Sequence, residues 1–188
     1  MEKSKIRRDI SKMRDKMPLQ EVLSKSAIIK DLLFGCEKFI KAKSVLFYAS
    51  FKNEVSTKNM IYNSLESKIV LLPKIQGNTL SIHRIDYLEE LCPNKYGILE
   101  PREKDAYDSF VDLAIVPGVA FDNRGYRIGS GRGYYDRLLK EIKPDNIGFA
   151  FSFQVVDSVP YLEYDVPVDT LITEQGIINC IKERQKSL

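Results

Sequence analysis

Residues 113–136 read LAIVPGVAFDNRGYRIGSGRGYYD, an apolar strand pattern that leads into a glycine- and arginine-rich segment and then into a helical pattern. Glycine lets the backbone adopt positive φ and lets a ligand approach its N–H groups. Arginine offers a planar fork of donors that suits phosphate, and the start of a helix adds partial positive charge. The stretch therefore predicts a phosphate cradle, with Asp136 in the first helical turn placed to hold a metal beside it.

The central part of this stretch, residues 129–133, is called the glycine loop below. It reads G-S-G-R-G, so its third glycine comes one residue too early for the dinucleotide fingerprint, and no Gly-Lys-Ser/Thr follows as in a P-loop. The alternative is a loop that uses glycine only to turn, with its arginines solvated. The adjacent Tyr134, Tyr135 and Asp136 favour a ligand site, because a plain turn does not require them.

Residues 117–136 resemble the signature of the 5-formyltetrahydrofolate cyclo-ligase family, P-G-x-A-F-D-x-x-G-x-R-[IL]-G-x-G-x-G-Y-Y-D. Three shorter matches lie at Lys3 to Arg7, at Asn53-Glu54 and at Val168-Asp169. Together they span nearly the whole chain, whose length also fits the family. Ser130 departs from the family pattern, in which a glycine or a basic residue is common at this position.

The resemblance implies an enzyme that uses ATP and Mg²⁺ to convert 5-formyltetrahydrofolate into 5,10-methenyltetrahydrofolate, with release of ADP and phosphate. The formyl oxygen would be phosphorylated and N10 of the folate would close the ring, so no Ser, Cys or His nucleophile is needed. The implied catalytic residues are Arg132 and Tyr134. The implied nucleotide contacts are Lys3, Arg7, Arg127, Ile128, Gly129, Ser130, Gly131, Arg132, Gly133, Tyr134 and Tyr135.

The implied folate contacts are Ala49, Glu54, Ser130, Gly131, Arg132, Gly133 and Tyr134. A carboxylate accepts from the N–H and amino groups of a pterin, which gives Glu54 a physical reason to be there. Residues 96–101 also look family-like and are expected to shape the pterin pocket. Asp136 and Asp169 are the implied magnesium ligands, and magnesium needs few carboxylates beside phosphate oxygens and water.

These residues also have structural interpretations. Lys3 and Arg7 share a helix face, but this face is equally consistent with a basic surface exposed to solvent. The nearby Lys5 and Arg8 leave open which basic residues would reach a ligand. The helix dipole alone favours an acid in a first turn, a turn alone accounts for Asp169, and a loop glutamate is usually solvated. Aromatic residues that open a helix usually pack into the core, and the sequence does not say which of the paired tyrosines does so.

Composition narrows the class of protein. A chain of 188 residues is expected to form one domain, 1–188, with a sizeable core, and its net charge of +3 is too mild for a nucleic-acid binder. Residues 1–16 hold seven Lys/Arg against three Asp/Glu, and residues 124–143 hold six against two. Two such clusters suit a polyanion such as ATP or a folate with its glutamate tail, although solvated helix faces look similar.

Cysteine usage and hydropathy predict where the protein works. The three cysteines are scattered and form no C-x-x-C, so neither a disulfide framework nor a zinc site is indicated. No apolar run approaches the length of a membrane span, and the charged N-terminus lacks the apolar core of a signal peptide. We expect a cytoplasmic monomer whose partner is a small-molecule folate, with no nucleic acid or membrane involved.

Short apolar runs alternate with helical patterns, which favours an α/β fold with a mainly parallel sheet covered on both faces. We expect one three-layer α/β/α domain with a C-terminal hairpin, an architecture shared with sugar-phosphate isomerases and CoA-transferases. In such sheets ligands bind beyond the carboxyl ends of the strands, so the glycine loop and Glu54 are expected at the same edge. The predicted helices are 3–17, 19–39, 58–65 and 134–143, and the predicted strands are 44–49, 69–72, 80–85, 113–116, 147–151, 170–173 and 177–179.

Other functions stay open from the sequence. An isomerase or CoA-transferase relative would need a general base near the loop, whereas the only histidine, His83, falls in a predicted strand and is interpreted as structural. A protein of the same fold that binds folate or nucleotide without turnover is the second alternative. A nucleic-acid module is the third, and strongly salt-dependent binding would be its sign.

Overall fold

The computed structural model describes residues 2–102 and 105–186. Its helices are α1 Glu2–Asp15, α2 Leu19–Phe34, α3 Glu37–Lys41, α4 Lys58–Ser64, α5 Tyr134–Ile142 and α6 Cys180–Lys186. Its strands are β1 Ser44–Leu46, β2 Ile69–Gln76, β3 Thr79–Ile85, β4 Leu91–Pro93, β5 Leu99–Pro101, β6 Leu113–Val116, β7 Ala120–Phe121, β8 Arg127–Ile128, β9 Asp145–Phe149, β10 Thr170–Thr173 and β11 Gly176–Asn179.

The strand that leads into the glycine loop, β6, is the middle strand of a seven-stranded sheet with the order β11-β10-β9-β6-β1-β2-β3. The five strands from β10 to β2 are parallel, and the two edge strands, β11 and β3, are antiparallel to their neighbours. The remaining strands form two small ribbons, β4–β5 and β7–β8. This arrangement confirms the predicted α/β fold with a mainly parallel sheet and a C-terminal hairpin.

Helices cover both faces of the sheet. Successive side chains of a strand point to opposite faces, and on β1 Val45 joins a core formed with α2, α3 and α4, whereas Leu46 joins a core formed with α5. Because the parallel strands are buried on both sides, they read as continuous apolar runs rather than alternating ones. The three-layer arrangement follows from this double burial.

The direction of the chain changes between β1 and β6. From β1 the chain proceeds to its neighbour β2 on one side, and from β6 it proceeds to β9 on the other. Loops that leave adjacent parallel strands in opposite directions open a crevice at the carboxyl edge, which is where ligands bind in such sheets. The segments after β1 and β6 both line this crevice, as the sequence predicted.

The largest difference from the predicted elements lies in β2, which passes through Pro73 instead of stopping before it. Pro73 pairs with Ile82 of β3, but β1 accompanies β2 only as far as Leu71. A proline has no N–H to donate, and at this point no strand on the other side requires one. The extended β2–β3 hairpin therefore projects beyond the rest of the sheet.

Other boundaries also moved. The predicted helix 19–39 divides at Gly35 into α2 and α3, predicted strand 44–49 stops at Leu46, and α6 was not predicted. Residues 86–110, predicted to be irregular, contain a 3₁₀ turn at Leu88–Glu90 and the β4–β5 ribbon, with 103–104 outside the described residues. Short strands of two or three residues carry too little periodicity to be recognised in sequence.

Gly125→Ala should lower the free energy of unfolding by about 3 kcal/mol, because strain and a clash add. Gly125 has φ +86°, and a Cβ there would lie 2.2 Å from the carbonyl oxygen of Val168. Gly77 is the matched control, since it has φ +56° with open space around it and its change to alanine should cost only about 1 kcal/mol. Urea denaturation of both variants measures the difference, and equal losses would contradict the predicted clash.

Candidate active site

A cavity of about 780 Å³ opens at the carboxyl ends of β1 and β6. Its walls come from α1, the segment after β1, the β2–β3 hairpin, the β4–β5 ribbon with its turn, and residues 127–136. The volume is typical of small-molecule sites. One wall is rich in glycine and charge, and the facing wall is largely apolar, with Phe51, Pro73, Ile75, Leu80 and Ile98.

The glycine loop connects β8 to α5 and exposes its backbone to the cavity. Gly131 and Gly133 have φ of +100° and +64°, a conformation that side chains rarely adopt. No side chain caps α5 at Gly133, so the first N–H groups of a nine-residue helix are left for a ligand. Ser130, exposed in this loop, also lines the cavity. The arrangement is that of an anion cradle.

Helix α1 crosses the glycine loop and brings two cations to it. Arg7 Nε donates to the carbonyl oxygen of Gly129 at 2.9 Å, and Lys3 Nζ pairs with Asp165 Oδ2 at 2.7 Å. Both side chains line the cavity, whereas Lys5 and Arg8 do not. Lys3 and Arg7, rather than Lys5 and Arg8, are therefore the pair on the face of α1 that is turned to the cavity.

Arg127 and Asp136 form a buried pair beneath the loop. Arg127 Nη2 donates to Asp136 Oδ1 at 2.8 Å, and its Nη1 donates to the carbonyl oxygen of Val166. The arginine side chain is only 4% exposed, and this burial lowers the pKa of its guanidinium despite the neighbouring carboxylate. The sequence assigned Arg127 to phosphate, but the structure commits its guanidinium to holding Asp136 in place.

Asp136 and Asp169 do not share a site. Asp136 lines the cavity, whereas Asp169 precedes β10 and pairs with Arg184 at 3.3 Å and Lys38 at 3.8 Å. Lys38 also binds Asp145, the first residue of β9, so Asp169 lies at the amino edge of the parallel strands. The two implied metal ligands are therefore at different ends of the sheet in this conformation.

The paired tyrosines have different surroundings. Tyr135 packs against both cores, and its hydroxyl is buried without a hydrogen-bond partner among the described residues. Burial raises the pKa of Tyr135 well above its usual value. Tyr134 lies at the rim, where its hydroxyl contacts Arg132 Nη1 and the Gly77 carbonyl oxygen, both at 3.4 Å. The tyrosine that packs inward is therefore Tyr135.

Arg132 is exposed at the mouth of the cavity. Its guanidinium lies 5.7 Å from the ring centre of Tyr96, which belongs to the turn between β4 and β5. A hydrogen bond from Arg132, together with the positive charges of Lys95 and Arg132, lowers the pKa of the Tyr96 hydroxyl. Residues 96 and 98–100 line the cavity, so the segment expected to shape the pocket is in position. Its partners within the described residues, Tyr96 and Tyr134, lie at the rim of the cavity, which leaves the exposed guanidinium able to follow a ligand.

Glu54 lies at the other end of the segment that follows β1, near Ala49. Its Oε2 accepts from the backbone N–H of Phe51 at 3.0 Å, and burial raises the pKa of its carboxyl despite this bond and the charge of Arg14. Both Ala49 and Glu54 line the cavity that the glycine loop lines. The implied folate contacts therefore meet the implied nucleotide contacts in one space.

The sequence of the chain matches the model of the 5-formyltetrahydrofolate cyclo-ligase family over residues 1–174. The chain belongs to this family. Known enzymes of the family are similar to this chain along most of their length. The 5-formyltetrahydrofolate cyclo-ligase of Mus musculus is 27% identical, with 91% of this chain and 93% of that protein covered, and that of Haemophilus influenzae is 31% identical, with 88% and 94% covered.

A solved structure supports the same placement. The NMR structure of Aquifex aeolicus 5,10-methenyltetrahydrofolate synthetase is 37% identical, matches with a TM-score of 0.88, and covers 96% of this chain and 94% of its own. The present chain is accordingly an enzyme of the cyclo-ligase family. Within residues 2–102 and 105–186, no helix has the length and apolar character needed to cross a membrane.

Three features of this cyclo-ligase family member were not found from the sequence. They are Arg14 on the cavity wall, the apolar wall supplied by the β2–β3 hairpin, and the anchoring of Asp136 by Arg127. A helical spacing of seven from Arg7 was the available signal for Arg14, since both lie on one face of α1. His83 was correctly kept out of the site, because its ring is buried in β3 and contacts Ser81 Oγ and the Asp105 carbonyl oxygen.

Proposed function

We propose that this chain converts 5-formyltetrahydrofolate into 5,10-methenyltetrahydrofolate in a reaction that consumes ATP and requires Mg²⁺. The observation that carries the proposal is the single cavity lined by Glu54, Lys3, Arg7 and the glycine loop. Membership of the cyclo-ligase family supports the reaction, since relatives carry that name. The proposed cellular location is the cytoplasm, and the proposed oligomeric state is a monomer.

The chemistry requires activation of the formyl group, because a formamide oxygen is a poor leaving group. The γ-phosphoryl group moves from ATP to the formyl oxygen, so the P–O bond to ADP breaks and a P–O bond to the formyl oxygen forms. N10 of the same folate then attacks the formyl carbon and loses its proton to solvent, and the C–O bond breaks as phosphate leaves. The substrate supplies its own nucleophile, so the protein contributes alignment and charge stabilisation.

The nucleotide is proposed to lie along the glycine loop. The loop backbone, Lys3 and Arg7 bind its phosphates, and Arg132 and Tyr134 at the rim face the transferring group. The buried Arg127 acts through Asp136 rather than on the phosphates. Ile128 contributes only backbone, since its side chain is buried in the core against Ile10.

The cavity offers few carboxylate ligands for magnesium. No group of three or more metal-ligating side chains occurs in the described part of the chain, but magnesium in nucleotide sites uses one or two carboxylates, phosphate oxygens and water. Arg127 and the Val166 N–H both donate to Asp136 Oδ1, which leaves Oδ2 available to a metal. A bound Mg²⁺ would neutralise phosphate charge beside Asp136. Asp169 would take part only after a movement of the β10 segment.

The folate is proposed to place its pterin near Glu54 and its flat rings against the apolar wall. The carboxylate of Glu54 accepts from pterin N–H groups, and Ala49 leaves room beside it. The formyl group then points toward the glycine loop, whose residues 130–134 contact both ligands. A turnover site of this kind needs no general base from the protein at the reacting carbon.

A turnover assay tests the proposal directly. The protein is mixed with 5-formyltetrahydrofolate, ATP and Mg²⁺, and the near-ultraviolet absorbance of the methenyl product is followed. Growth of that absorbance only with ATP and Mg²⁺ present is the expected result. A folded protein that binds both ligands without forming product would instead be a binder that has lost turnover.

The KM for 5-formyltetrahydrofolate should rise as pH falls through the raised pKa of Glu54. Because burial raises that pKa, the carboxyl takes up its proton at a higher pH than an exposed glutamate, and the neutral acid no longer accepts both pterin N–H groups. The same raised pKa means that Glu54 contributes stability at low pH, when it is neutral, and loses it as pH rises. Steady-state kinetics over a pH series measure the effect.

Glu54→Gln is the control for this titration, since glutamine keeps one acceptor and cannot ionise. Its KM should be higher than that of the unaltered protein and independent of pH over the same interval. A pH profile of KM that is identical in the two proteins would exclude Glu54 as the titrating group.

A further inference from the structure

Arg14 is a buried cation on the cavity wall whose donors are almost unused. Its side chain is only 13% exposed, and its Nε is buried without a hydrogen-bond partner among the residues that the structure describes. The carboxylate paired with it is Glu54, with Nη1 and Oε1 separated by 3.8 Å, too far for a hydrogen bond. Buried donors are normally satisfied, so this arrangement is costly, and the exposed part of the Arg14 side chain, which lines the cavity, is the part that a ligand can reach.

The relative position of Arg14 and Glu54 is fixed by hydrogen bonds to the backbone of α1 and the residues after it. Asn53 Nδ2 donates to the carbonyl oxygens of Arg14 at 2.9 Å and Met17 at 3.0 Å, near the end of α1. Asn53 immediately precedes Glu54, so the loop that carries the carboxylate is fastened to the helix that carries the guanidinium. The donor and the acceptor therefore stand side by side in a fixed arrangement at the cavity wall.

A guanidinium beside a carboxylate is complementary to a flat ring edge that carries an acceptor beside a donor. A pterin has such an edge in its 4-oxo group and the adjacent N3–H. We propose that Arg14 is a specificity-determining residue that donates to the 4-oxo group of the pterin while Glu54 accepts from N3–H. The inference rests on the proposed function, since a folate is the ligand it recognises.

The surroundings support a ligand-binding role over a purely structural one. A second buried polar atom, the Tyr135 hydroxyl, also has no hydrogen-bond partner among the described residues, and Tyr135 lines the same cavity. The other ionisable groups on the cavity wall in this region are Asp15 of α1, Lys52 of the loop and Tyr48, whose hydroxyl already donates to the Val55 carbonyl oxygen. None of the hydrogen bonds described for these groups satisfies the guanidinium.

The test compares tetrahydrofolate with its 4-amino-4-deoxy analogue, which replaces the 4-oxo acceptor by a donor. Both lack the formyl group, so calorimetric titration measures binding without turnover. In Arg14→Met the affinity for tetrahydrofolate should fall roughly 10- to 100-fold, as expected for loss of a charged hydrogen bond, and the 4-amino analogue should lose much less. ATP affinity should stay unchanged.

Two further variants make the result interpretable. Arg14→Lys keeps the charge and should recover part of the preference for the 4-oxo ligand. Arg8→Met, a matched change on the exposed side of α1, should alter neither affinity. Melting temperatures show whether each variant is folded.

An unchanged ratio of the two affinities in folded Arg14→Met overturns the inference. Equal losses for both pterins together with ATP show a structural role and also overturn it. Turnover of 5-formyltetrahydrofolate by the unaltered protein is measured separately, so a failure of the proposed reaction is distinguishable from a failure of pterin selection by Arg14.

Discussion

Arg132→Ala should lower kcat roughly 1,000-fold while leaving the melting temperature unchanged. An arginine that faces a transferring phosphoryl group contributes on the order of 10³ to 10⁵ in rate. In the free protein its side chain is exposed at the rim, and its partners among the described residues are Tyr134 and Tyr96. Its removal therefore costs almost no folding free energy. Initial rates at saturating ATP and folate, with a thermal melt, measure both parts.

Arg137 offers the matched control, because it also belongs to the first turns of α5 and contacts the β2–β3 turn through the Asn78 carbonyl oxygen. It does not line the cavity, so Arg137→Ala should keep kcat within a few-fold of the unaltered value. Full activity in Arg132→Ala would remove Arg132 from the mechanism. Equal losses in both variants would show that the rate depends on the position of α5 rather than on the charge at the rim.

Asp136→Asn should lower the rate of turnover by at least about 100-fold. Asparagine retains an oxygen that accepts from Arg127 and from the Val166 N–H, so the loop keeps its shape while the negative charge disappears. The substitution therefore removes the proposed magnesium ligand while the local structure is retained. Rates measured across a series of Mg²⁺ concentrations test this, because the residual activity should not saturate over the range that saturates the unaltered protein.

Asp136→Ala separates structure from chemistry. It leaves the Arg127 guanidinium buried without its charged partner, a change that typically costs about 3 to 5 kcal/mol. Urea denaturation should therefore show a much larger loss of stability for alanine than for asparagine, although turnover should be strongly reduced in both variants. A stable and fully active Asp136→Asn protein would refute the metal role.

The sequence could predict features that depend on neighbours in the chain. The apolar run of β6, the glycines of the loop and the helical pattern of α5 are consecutive, so the anion cradle is visible locally. Lys3 and Arg7 are one helical turn apart, and their shared face follows from helix geometry alone. The parallel sheet follows from short apolar runs between helices, which require burial on both faces.

Features that depend on distant partners were not predictable. Arg127 contacts Val166, which lies 39 positions later, and no local pattern distinguishes an arginine that holds a carboxylate from one that binds phosphate. The continuation of β2 through Pro73 depends on where β1 ends, and the location of Asp169 depends on which end of β10 it precedes. Arg14 resembles any other basic residue of α1 until Asn53 and Glu54 are folded against it.

The position of α1 has a practical consequence for preparing the protein. Lys3 and Arg7 reach the cavity from the first two turns of α1, so a purification tag fused ahead of them would begin beside the nucleotide end of the site. Helix α6 lies at the other edge of the sheet, where Arg184 pairs with Asp169. Kinetic and binding work should therefore use a carboxyl-terminal tag, or a cleaved amino terminus, so that ligand entry is not obstructed.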